Sequence, residues 1–142
     1  MFISHYNFKE EIKEKFPNNN INLNDTTLRD GEQTPGVVFS NEEKLHIAKC
    51  LDEIGVQQIE AGTPAMSPGE TNAVKDISKE SLDSSIMGWS RPVKNDVDAV
   101  IKTGCDAIAI SIATSELHLK YKLKMSKEEV IKKAVTMVGY AK

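Results

Sequence analysis

Apolar positions along the chain alternate between two patterns. Short compact runs are followed by longer stretches in which apolar residues recur every three or four places. The first pattern reads as buried strand and the second as amphipathic helix. Residues 6–16 set Phe8, Ile12 and Phe16 on one stripe with Lys and Glu between them, which predicts a leader helix ended by Pro17 and the Asn18–Asn20 run. Residues 1–19, this helix and its linker, stand apart from a domain over 20–142.

Within that domain one arrangement repeats: a strand, a loop and a capped helix. The first run is Ile21–Asp25, continuing towards Leu28. Its helix runs from about Asn41 to Ile54, opened by a capping box of Ser40 and Glu43, lined inward by Leu45, Ala48 and Leu51, and stopped by Gly55. The second run is Val56–Ala61. A second capping box, Ser67 with Glu70, opens its helix with Pro68 at the first position, and Ala73, Val74 and Ile77 face inward. The third run is Ser85–Trp89, with a helix from near Pro92 that carries Val93, Val97, Val100 and Ile101 and closes at Gly104. The fourth, Ala107–Ile112, is the clearest buried strand. Its helix follows a third box, Ser126 with Glu129, and presents Ile131, Ala134, Val135 and Val138 to the core.

Strands that alternate with helices run parallel, because each crossover returns the chain to the same end of the sheet. Two α/β architectures fit four such units. One is the N-terminal half of a (β/α)8 TIM barrel, whose closure removes the open sheet edges. The other is a small doubly wound sheet, and the pattern alone weighs them equally. With both edges bare, the chain by itself is expected to be poorly soluble.

Composition narrows the class. With 39% hydrophobic and 27% charged residues, the chain falls among ordinary globular proteins. A net charge of −3 gives no electrostatic footprint for nucleic acid. No apolar run approaches the roughly 20 residues that span a bilayer. Met1–Ser4 lacks a basic region followed by an apolar core, so no signal peptide is read and a cytoplasmic location is expected. Cys50 and Cys105, with no CxxC, read as buried reduced thiols without a neighbouring histidine.

Candidate chemistry concentrates at the end of the first strand, in Asn24-Asp25-Thr26-Thr27-Leu28-Arg29-Asp30-Gly31-Glu32-Gln33. A buried strand that ends in this many charged groups is costly unless they meet a ligand or one another. In barrels, active sites sit at the C-terminal ends of the strands. Asp30 can ligate a hard divalent cation and Arg29 can hold a carboxylate or oxyanion with its planar donors. A surface ion cluster in a turn accounts for the same residues equally well. Glu60, at the end of an apolar run, needs a partner for its carboxylate. Arg91 is read as a helix-start contact, and Lys120, Lys122 and Lys124 as a solvated loop. His5 and His46 receive no role.

The Asn24–Gln33 segment resembles the signature of the homocitrate synthase and 2-isopropylmalate synthase family, divalent-metal TIM-barrel acyltransferases. Ile59-Glu60-Ala61-Gly62-Thr63-Pro64-Ala65-Met66 resembles the end of that family's second strand. Ile110 to Leu123 resembles the end of its fourth strand and the loop beyond. The Ala61–Met66 and His118–Leu123 segments look most like nitrogenase-associated homocitrate synthases.

The resemblance implies a Claisen-type condensation of acetyl-CoA with a 2-oxo acid. For homocitrate synthase this is 2-oxoglutarate, and the product serves nitrogenase iron–molybdenum cofactor biosynthesis. It also implies a divalent metal ion (Mg, Mn or Zn) with Asp30 as a ligand, and Arg29 as the catalytic oxyanion stabiliser. Gln33, Glu60, Thr114, Ser115 and His118 would bind substrate.

The family's His-x-His pair from the seventh strand is absent, since the chain's histidines are His5, His46 and His118. One carboxylate is too few for a catalytic divalent ion, so the chain alone is expected to be inactive. The missing ligands would come from a C-terminal half-barrel subunit. The chain's own methionine, leader helix and stop at a unit boundary fit a split enzyme better than a truncated fragment. A 2-isopropylmalate synthase-type activity is the alternative within the family, and a non-catalytic binding module the alternative outside it. A lyase acting on hydroxymethylglutaryl-CoA fits less well at the second and fourth strand ends.

Overall fold

Four strands, β1 (Asn24–Asp25), β2 (Gln58–Gly62), β3 (Ser85–Ser90) and β4 (Ala107–Ile110), pair in parallel in their sequence order. The computed structural model describes residue 5 and residues 9–15 and 21–142, with the backbone alone at position 13. A short helix α1 (Glu10–Lys15) precedes the sheet. Phe8, Phe16, Pro17 and Asn18–Asn20 of the expected leader lie outside the described residues. Helices α2 (Asn41–Glu53), α3 (Pro68–Ser78), α4 (Lys94–Ile101) and α5 (Lys127–Ala141) each follow one strand. None is long and apolar enough to cross a membrane.

The register decides between the two architectures. Ile59 pairs with Ile86, and together with Ala61 they enter one core with Leu28, Val56, Ala48 of α2, and Val74 and Ile77 of α3. On the same face, a Cβ at Gly88 would lie 2.7 Å from Val100 of α4, so only glycine lets that helix reach the sheet. Further along this face, Ile108 and Ile110 border a hollow with Val138 of α5. The opposite face, carrying Glu60, Met87 and Trp89 across the registered strands, receives none of these helices. Strand order 1-2-3-4 with α2 to α5 on one side is the arrangement of half a (β/α)8 barrel. A doubly wound sheet would place helices on both faces and reverse its strand order.

Several local expectations change. The first strand is short: Ile21 and Leu23 are exposed and the chain turns at Thr26, so β1 is an edge and not a buried run. The β4 strand is half-buried throughout, and no strand among the described residues pairs with its outer edge. The capping boxes at Ser40 and Ser126 are complete, but at Ser67 only the serine caps, since the Glu70 carboxylate is engaged elsewhere. Val93 is the N-cap of α4 rather than a residue of its buried face, and Ile101 is exposed. In α5 the buried residue is Val130, while Ile131 and Val135 are 63% and 66% exposed and Val138 is also exposed. Where a loop was expected, His118–Leu123 forms a π-helical turn with Leu119 buried.

Candidate active site

Three strand ends converge on Arg29. After β1 the backbone closes a tight turn in which the Thr26 carbonyl accepts from the amides of Arg29, Asp30 and Gly31 at 3.1, 2.8 and 3.1 Å. Asp25 opens the turn by accepting from the Thr27 amide at 2.8 Å. The turn sends the Arg29 side chain across β2, where its Nε donates to Glu60 Oε2 at 2.6 Å. Nη1 donates to Asp30 Oδ1 at 3.0 Å, and the guanidinium lies 5.9 Å from the centre of the Trp89 ring on β3. The side chains of Arg29 and Glu60 are 20% and 5% exposed, whereas Asp30 is 66% exposed. The buried Glu60 carboxylate therefore has its counter-ion, and Arg29 is held in one plane with Asp30 facing solvent.

Beside this cluster a second one joins the loops after β1 and β2. Lys44 of α2, its side chain 3% exposed, places Nζ 2.6 Å from both Glu32 Oε2 and Glu70 Oε2. Glu32 also accepts from the Phe39 amide at 3.2 Å and Glu70 from the Thr63 amide at 3.0 Å. Burial pushes the Lys44 ammonium down, but hydrogen bonds to Glu32 and Glu70 and the two negative charges outweigh it. The group stays above its ordinary value of 10.5. A Cβ at Gly62 would fall 2.1 Å from Glu70 Oε1, so glycine is required for that carboxylate to reach the Thr63 amide. A cleft of about 240 Å³ opens between the clusters, bordered by Arg29, Gln33, Thr63, Met66 and Glu70.

The remaining candidates lie elsewhere. Ser115 and His118 pair with each other, Oγ to Nδ1 at 2.9 Å, and both are exposed, as is Thr114. No hydrogen bond or ion pair among the described residues ties them to Arg29. Arg91 is taken by Asp96, its Nε and Nη2 donating at 2.6 and 3.0 Å at the start of α4. Cys50 is exposed rather than buried, and His46 Nε2 stands 3.7 Å from its sulfur. The spacing of four residues on α2 is the signal that predicts this contact.

Sequence reasoning also missed Lys44, Glu32 and Glu70. Lys44 shares the inward stripe of α2 with Ala48 and Leu51, and a lysine in an apolar stripe asks for a buried carboxylate. Among the described residues no three His, Cys, Asp or Glu side chains gather to hold a metal ion. Asp30 offers one carboxylate that is already paired with Arg29. These residues by themselves do not make up a divalent site.

The HMGL-like family profile matches residues 20–142. The chain is similar to the homocitrate synthase AksA of Methanopyrus kandleri, at 51% identity over 94% of this chain and 34% of that protein. It is 47% identical to the homocitrate synthase AksA of Methanothermobacter thermautotrophicus, over 99% of this chain and 35% of the relative. It is 53% identical to the 2-isopropylmalate synthase of Methanocaldococcus jannaschii, over 94% of this chain and 26% of the relative. The chain thus spans from about a quarter to about a third of the length of these relatives.

Proposed function

The chain belongs to the HMGL-like family, and from that premise we propose that it forms the N-terminal half of a homocitrate synthase-type acyltransferase. A separate C-terminal half-barrel would complete it. The observation that carries this reading is Arg29, fixed by Glu60 and Asp30 at the strand ends above a sheet that packs α2 to α5 on one face. Each terminal nitrogen of an arginine carries a second N–H, and those of Arg29 would meet the oxyanion of the acetyl-CoA enolate and of the attacked ketone. Glu60 keeps the guanidinium from swinging away, and the complementary units would pack beyond β4. Gln33, at the rim of the cleft, would orient the 2-oxo acid.

Asp30 would contribute one oxygen ligand to a divalent ion, with the remaining ligands from the other half. Thr114, Ser115 and His118 would reach substrate only once that half packs against β4. The substrate pair we favour is acetyl-CoA with 2-oxoglutarate. Its place in nitrogenase cofactor assembly rests on the Ala61–Met66 and His118–Leu123 resemblance alone. A 2-isopropylmalate synthase activity is the second reading, favoured by the 53% identity to a relative of that name.

The test is acetyl-CoA-dependent thiol release by this chain mixed with a partner that carries four further β/α units and a His-x-His pair. Either substrate class is supplied and the product is identified by mass. Arg29→Met should lower kcat of the complex by about 100-fold or more, the usual loss of an oxyanion donor. Turnover by this chain alone would contradict the proposal, as would an Arg29→Met complex with unchanged kcat.

A further inference from the structure

The two clusters at the strand ends form one closed circuit. Glu60 grips Arg29 at 2.6 Å; β2 carries the chain from Glu60 to Thr63; and the Thr63 amide donates to Glu70 at 3.0 Å. Glu70 meets Lys44, Lys44 meets Glu32, each at 2.6 Å, and the turn returns from Glu32 to Arg29. Two covalent arcs of the backbone are thus closed by four polar links, and Lys44 is the cation that holds the two carboxylates. Without it, Glu32 and Glu70 would be two partly buried anions facing each other, which repel. The turn that bears Arg29, Asp30 and Gln33 would lose its tie to the loop after β2.

We infer that Lys44 is a positioning residue: a buried ammonium that clamps the turn after β1 to the loop after β2 and thereby sets where the Arg29 guanidinium stands. Lys44 does not line the cleft and acts through Glu32. This deepens the reading of Arg29 as the group that meets the substrate oxyanion, and rests on it for its functional meaning. The geometric claim has its own probe, because Trp89 is the chain's single tryptophan and Arg29 lies over it.

Tryptophan emission of the full chain, without substrate, is compared for wild type, Lys44→Met, Arg29→Met, the double variant and Lys44→Arg, with far-UV circular dichroism as the folding control. Lys44→Met should move the emission in the direction of Arg29→Met. The double variant should match Arg29→Met alone, and Lys44→Arg should return towards wild type because it restores the charge. If Lys44→Met loses its helical signal, Glu32→Gln, which keeps the shape of the side chain, is read in its place and should shift the emission in the same direction.

Wild-type emission in a folded Lys44→Met, or in Glu32→Gln where Lys44→Met is unfolded, overturns the inference. So does an Arg29→Met emission equal to wild type, because Arg29 would then not stand over Trp89. In the reconstituted enzyme, Lys44→Met should lower kcat by about 100-fold, the scale of a misplacement near 1 Å, with rescue by Lys44→Arg. A complex without turnover but with the emission pattern intact would count against the enzyme reading and leave the clamp standing.

Discussion

At the scale of single residues, burial makes Arg29 and Glu60 interdependent. Glu60 is almost fully enclosed and Arg29 is its only ion-pair partner among the described residues. Arg29→Met should therefore destabilise the chain by about 3 kcal/mol, the cost of an uncompensated buried charge, while Arg29→Met with Glu60→Met should recover most of that loss. Urea unfolding of the two single variants and the double variant measures it; equal stability of Arg29→Met and wild type would contradict the pairing. A second residue prediction concerns acid. Hydrogen bonds from Arg91 hold the Asp96 carboxyl below its ordinary value of 3.8. A carboxylate depressed in the folded state contributes stability above 3.8 that disappears as pH falls through its lower folded value. Urea midpoints of wild type should drop below about pH 4, and those of Asp96→Asn should drop less. That Arg29, Asp30 and Glu60 gather at strand ends was legible in the sequence. The Arg29–Trp89 cation–π contact was not, because it depends on the β2–β3 register and on the turn at Thr26.

At the scale of elements, the caps separate local from tertiary work. Ser126→Ala removes one cap and should cost about 1 kcal/mol. Glu129→Ala should cost less than Glu70→Ala, although both residues sit three places after a capping serine. Glu129 reaches back to the Ser126 amide at 2.7 Å, as a box requires, whereas Glu70 holds the Thr63 amide and Lys44. Thermal melts of the pair check this, and equal midpoints would show that the Lys44 link carries no stability. The sequence patterns of the two helices are indistinguishable here, since both offer Ser-x-x-Glu. The difference arises from Gly62, whose missing side chain admits the Glu70 carboxylate. Helix α5 shows the same limit in its phase. Two apolar stripes run side by side along it, and Val130 rather than Ile131 is buried. Periodicity identifies the helix but does not choose between adjacent stripes when both are apolar.

At the scale of the whole molecule, the four β/α units leave β4 with a strand neighbour on one side only among the described residues. Ile131 and Val135 on α5 stand exposed, and the β4 strand of the same unit is half-buried throughout. Replacing Ile131 and Val135 by lysine should raise the solubility of the chain alone and block assembly with the proposed complementary half, as read by sedimentation. Assembly that survives both changes would place the interface elsewhere. The alternation of apolar runs and capped helices determined the four β/α units, their parallel sense and the strand ends at which charge collects, because periodicity and capping are local properties of the chain. The sequence did not determine on which side of the sheet the helices lie, which stripe of α5 is buried, or that Lys44 closes a circuit through Glu32 and Glu70. Those outcomes depend on strand register, on a close approach that glycine permits, and on which faces find a partner. Each requires residues far apart in the chain to be brought together, and only the folded molecule does that.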